Sequence, residues 1–231
     1  SGSTKEVGLK LTRNNGAITT TGTLRYASNA TLEYAGNSAK SISTEWPGLN
    51  GPTNLIMNVN DVSNDLDLNL GSTSIVLPEN GNLTLSSGIV DFSTTGLSLT
   101  VDGNVVGGGG EFGTDSGNEL IVTGESSAVT STLSTSFNDL TMQTSASGTI
   151  SRITVNGRLD IASGANVLLG IGVSASTVDV SGTFNLQGNS ISGSPTIEVL
   201  DGGILETGGS SLSPYVSTII LNNTGSTVVY N

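Results

Sequence analysis

The chain of 231 residues contains neither cysteine nor histidine. Without cysteine it has no disulfides and no thiolate metal sites. Without histidine it lacks the commonest general base, the commonest metal ligand and any Ser-His-Asp triad. Aromatic residues are only 4% and charged residues 11%, the latter less than half of the roughly 25% carried by an ordinary soluble domain. The seven bases are Lys5, Lys10, Arg13, Arg25, Lys40, Arg152 and Arg158. Residues 41–151 therefore hold no base, yet they carry twelve acids from Glu45 to Asp139, within a net charge of −12. Such a surface repels phosphate, which argues against nucleic acid and anionic membrane as partners. No stretch approaches the roughly 18 apolar residues of a membrane helix, so no membrane insertion is expected.

What fills the chain instead is Ser, Thr, Asn and 32 Gly, threaded with Leu, Val and Ile. Apolar spacing at i, i+3, i+4, i+7 is absent, whereas period-two alternation recurs throughout. Leu66-Asp67-Leu68-Asn69-Leu70, Leu83-Thr84-Leu85, Leu97-Ser98-Leu99-Thr100-Val101 and Thr196-Ile197-Glu198-Val199 all show it. In each, apolar side chains point one way and polar ones the other. Glycine-containing turns follow about every 8–12 residues, the spacing of an all-β sandwich, barrel or solenoid.

An internal repeat favours the solenoid. Ile153-Thr154-Val155-Asn156-Gly157-Arg158-Leu159-Asp160-Ile161 aligns with Val178-Asp179-Val180-Ser181-Gly182-Thr183-Phe184-Asn185-Leu186 at an offset of 25. Leu99–Val105 has the same form, and Ile197–Ile204 has it with one insertion. The unit is a short strand, a glycine corner and another short strand, buried against the turns above and below. The fold class expected is all-β, a parallel β-helix or β-solenoid, with a β-sandwich as the alternative. Residues 1–20 read as an N-terminal segment or linker, and residues 21–231 as the solenoid. The repeat length, roughly 20–25 residues per rung, falls in the range of solenoid units and gives about ten rungs. Thr31 and Tyr34 reappear as Thr227 and Tyr230 at the other end of the chain, which suggests a fragment of a longer repetitive chain with flanking repeats on both sides.

Thr31-Leu32-Glu33-Tyr34-Ala35-Gly36-Asn37-Ser38-Ala39-Lys40 runs into Thr44-Glu45-Trp46-Pro47 and then Asn50-Gly51-Pro52-Thr53-Asn54-Leu55. With Gly81-Asn82-Leu83-Thr84-Leu85 and further Gly-x-Leu-x-Leu units, this resembles the large repetitive surface proteins of bacteria that use type IX secretion, some of them gliding or attachment adhesins. The resemblance covers most of residues 20–231, and Leu32–Leu55 is its most specific part. It implies an extracellular, cell-surface location and a β-solenoid body, and it supplies no catalytic residue to carry over.

Candidate sites are few. Asp61, Asp65 and Asp67, with neighbouring Asn residues, offer hard oxygen ligands suited to Ca²⁺. They match neither an EF-hand loop nor a calcium β-roll nonapeptide, and a solvated turn is the plainer reading. No cofactor is implied, calcium alone being compatible. Gly107-Gly108-Gly109-Gly110 is followed by no Lys and no helix, so it reads as a corner rather than a phosphate cradle. Trp46, the only tryptophan, beside Tyr34 or Tyr26 could stack on a sugar ring or plug a junction. The pairs Asp65/Asp67 and Asp160/Asp179 raise a glycosidase reading, but Arg152 and Arg158 are the only bases nearby. Thr21/Thr23 does not recur in register, which argues against a regular ice-binding face. The reading that follows is a non-catalytic stiff β-rod in cell-surface attachment or motility, with polysaccharide or protein ligands as partners. The alternatives are a carbohydrate-binding module acting through Trp46, Tyr34 and nearby acids, and a β-helix enzyme that degrades polysaccharide.

Overall fold

The computed structural model describes residues 4–16, 18, 22–46, 51–60, 68–113, 117–125, 127–143, 146–209, 218–222 and 225–231, apart from the Ser134 side chain. These residues form no helix, and their strands wind into a parallel β-solenoid of about nine turns. Three ladders run along the coil. Ladder I stacks Leu32, Leu55, Leu83, Val105, Val129 and Ile150 in one inward column. Ladder II stacks Leu68, Val90, Phe112, Phe137, Val155 and Ala175. Ladder III stacks Ile75, Leu99, Leu120, Leu140, Leu159, Val178, Ile197 and Ile219.

Period-two alternation explains this arrangement directly. In Ser98–Val101, Glu119–Val122 and Thr196–Val199 every second residue is buried and the others are partly exposed. Each buried Leu, Val or Ile meets its counterpart about 4.8 Å away in the next layer. One apolar core therefore fills the interior, with Phe92 and Phe112 meeting edge-to-face at 6.2 Å. Glycine permits the tight corners. A Cβ on Gly124 would lie 1.6 Å from the Asp102 carbonyl oxygen, and one on Gly148 would lie 1.9 Å from that of Ser127.

Three details differ from the sequence reading. Lys10–Arg13 stacks in register on Thr31–Gly36, and Lys5–Val7 on Leu24–Tyr26. Strands within 1–20 thus belong to the coil, because Leu11 and Val7 pack against the core as their successors do. The offset of 25 does not correspond to stacking. Leu159 lies on Val178, Val155 on Ala175 and Phe184 on Val167. The motif at 153–161 bridges ladders II and III, whereas 178–186 bridges III and I. A strand–glycine–strand corner occurs at more than one edge of each turn with the same inside-out pattern, so sequence alone confuses one edge with another. The true step is also less regular than the repeat implies: the turn from Val167 to Phe184 is short, and the turn from Leu55 to Leu83 is long.

Candidate functional site

Tyr34 lies on ladder I and is fully buried, and Tyr26 is nearly so. Both reach Glu45, itself wholly buried. Tyr34 Oη donates to Glu45 Oε1 at 3.0 Å, and Tyr26 Oη donates to the Glu45 carbonyl oxygen at 2.7 Å. Arg13 Nη1 pairs with Glu45 Oε1 and also donates to the Ser41 carbonyl oxygen at 2.6 Å. Its guanidinium carbon stands 5.8 Å from the centre of the Tyr34 ring, a cation–π distance. Burial raises both tyrosine pKa values, and the neighbouring Glu45 carboxylate adds to the shift. Glu45 Oε2 has no hydrogen-bond partner among the described residues. Trp46 is half-buried and packs against the core. Of the aromatic platform expected from Trp46, Tyr34 and Tyr26, the two tyrosine rings are interior, tied to a buried ion pair, and Trp46 alone keeps partial exposure.

The Gly107–Gly110 run sits at the corner between ladders I and II. A Cβ on Gly107 would come within 2.1 Å of Thr135 Oγ1 and 2.6 Å of Ser131 Oγ. These two hydroxyls are buried and bond each other at 2.8 Å. The run makes room for that pair. Asp61, Asp65 and Asp67 lie outside the described residues. Among the described residues, no group of three or more acids could hold a metal ion.

Asp160 and Asp179 are brought together as direct register partners, and Glu198 follows on the next layer. They stand outward on ladder III. Arg158 reaches both, at 3.9 Å to Asp160 Oδ2 and 3.4 Å to Asp179 Oδ2. Desolvation by burial raises the Asp160 pKa, Arg158 opposes the shift, and the carboxylates of Asp179 and Glu119 add to it. The pair lies on a strand face, adjacent and bridged by a guanidinium.

One concavity among the described residues was missed by the sequence reading. It is a groove of about 780 Å³ at the corner between ladders III and I. Three successive layers contribute, each with one carboxylate: Glu79, Asp102 and Glu125. Asp102 is held in place, accepting from the Asn80 amide at 2.9 Å and from Thr123 Oγ1 at 3.1 Å. Alongside runs an asparagine ladder. Asn82 Nδ2 donates to Asn54 Oδ1 at 2.9 Å, the Asn104 amide donates to Asn82 Oδ1 at 2.8 Å, and the Ala128 amide donates to Asn104 Oδ1 at 2.9 Å. Each side-chain carbonyl thus accepts from the next layer, as a backbone carbonyl does within a strand. The sequence signal is present as Asn54, Asn82 and Asn104, each the residue before an inward apolar one. The unequal spacing of the three hides it, because the turns that separate them differ in length.

No protein-family model matches the chain, and no curated protein or solved structure matches it.

Proposed function

We propose that the chain is a non-catalytic β-rod, a segment of a large secreted bacterial surface protein that serves attachment or motility. The observation that carries this reading is the continuity of the three parallel ladders around one apolar core. Each turn buries its inward residues on its neighbours, so the number of turns sets the reach of the body. Outward strand positions are mostly Thr, Ser, Asn and acids, which keep such a rod soluble. The acidic pair that best resembles a hydrolytic site, Asp160/Asp179, is bridged by Arg158 on a strand face. This arrangement supports a surface ion cluster rather than a general acid opposed to a base. Polysaccharide or protein at the cell surface is the partner class, and the resemblance to type IX-secreted adhesins supplies the location.

Antibodies raised against the chain and applied to intact cells of its source test the reading. Labelling without permeabilisation is the expected result. Labelling only after permeabilisation overturns it.

A further inference from the structure

We infer that the groove at the corner between ladders III and I binds an uncharged oligosaccharide lying along the coil axis. This deepens the adhesive reading above by giving the rod a site and a ligand class, and it rests on that reading.

Its size comes first. About 780 Å³ falls within the range of small-ligand sites. Its lining holds no base, so phosphate, sulfate and uronate ligands find no counter-charge. Among the described residues its carboxylates do not form a group of three or more that could hold a metal ion. What remains is hydrogen bonding. The exposed carboxylates of Glu79 and Glu125 form no hydrogen bond or ion pair with a described residue, and neither does the exposed Asn104 Nδ2. Toward the described residues, the groove thus presents unpaired acceptors on its two outer layers and an unpaired donor between them. A hydroxyl group both donates and accepts, so a hydroxyl-rich ligand satisfies both kinds of group.

The spacing is the second support. Polar sets repeat once per layer, at about 4.8 Å, a step comparable with the length of one pyranose unit. A chain of sugars can therefore meet Glu79, Asp102 with Asn104, and Glu125 in succession. The middle layer of the site is also held in place before any ligand arrives, because Asp102 and the Asn82–Asn104 ladder are fixed by bonds across layers. Pre-ordering reduces the entropy lost on binding.

The test uses the purified chain against immobilised neutral oligosaccharides, with uronate-bearing oligosaccharides and a lysine-rich peptide as comparison probes. Saturable binding to a neutral oligosaccharide is expected. Glu79→Ala combined with Glu125→Ala should weaken it at least tenfold with the unfolding midpoint unchanged. Asn104→Asp, which keeps the acceptor for the Ala128 amide and removes the donor, should weaken it by a similar factor. Binding to none of the neutral probes overturns the proposal, as does binding that these variants leave intact or that is confined to the peptide. Surface labelling of intact cells separates the two readings: with labelling present and the neutral probes silent, the rod stands and the groove falls.

Discussion

At the scale of single residues, the interior ion pair is the most exacting feature. Glu45 and Arg13 have side-chain exposures of 0% and 10%, so little water remains to compensate either charge. Breaking a buried pair by removing one partner leaves the other uncompensated and costs about 3–5 kcal/mol. Glu45→Ala is therefore expected to destabilise the chain by that amount in urea unfolding. Glu79→Ala, at an exposed carboxylate, should stay within about 0.5 kcal/mol. Equal effects would show that Glu45 is not buried in solution. This network was illegible in the sequence: a Glu-Trp-Pro stretch reads as a loop, and nothing local says that Tyr26 and Tyr34 turn inward upon it. The Asp160/Asp179 pair was legible, because both sit at the outward position of an alternating strand. That they are adjacent followed only from the stacking register, which sets Leu159 on Val178.

Titration of two carboxylates separates opposite effects. For Asp160 the folded pKa is raised, chiefly by desolvation, so its ionised form disfavours the fold. The stability it contributes is fully present below its unfolded pKa and is lost as pH rises through the folded pKa. Asp160→Asn should then raise stability at neutral pH by up to about 1 kcal/mol, and the gain should vanish as pH falls below the carboxylate range. Glu33 runs the other way. Partial burial pushes its pKa up, but hydrogen bonds from Lys10 and Thr12 and the Lys10 charge outweigh that and hold it low. Its contribution is present above its unfolded pKa and is lost as pH falls through the depressed folded one. Thermal melts of Glu33→Gln and Asp160→Asn across pH 3–7 should therefore diverge from the parent in opposite directions near neutrality.

At the scale of elements, alternation told which side chains face inward, but the corners decided how strands stack. Leu83 and Val105 were legible as core from the alternation and the repeat. Their alignment was not, because the connecting corners differ in length and every glycine corner looks alike from sequence. The asparagine ladder shows what fixes register there. Asn82 takes bonds from both sides, donating to Asn54 and accepting the Asn104 amide. Asn82→Ala removes the acceptor of a backbone amide and should cost about 1–3 kcal/mol. Amide hydrogen exchange should quicken at Asn104 more than at Val155, on another ladder. Uniform quickening across both would mean that Asn82 acts through global stability and not through the corner.

At the scale of the whole molecule, a solenoid has no long-range tertiary contacts beyond neighbouring turns, so stability is close to a sum of turns and interfaces. Substitutions in touching layers should couple, and those far apart should add. Phe112 and Phe137 are register partners on ladder II, both interior. Phe184 is equally buried on ladder I, several turns further along. Each Phe→Ala change removes a large buried ring and should cost about 3–5 kcal/mol. The double change Phe112→Ala with Phe137→Ala should depart from the sum by more than about 0.5 kcal/mol, because the two cavities merge and relax together. Phe112→Ala with Phe184→Ala should match the sum within that margin. Urea unfolding of the three single and two double variants measures this directly. Coupling of equal size in both pairs would indicate a single globular core, such as the β-sandwich alternative has, whereas coupling confined to adjacent layers is what a coil built turn upon turn requires.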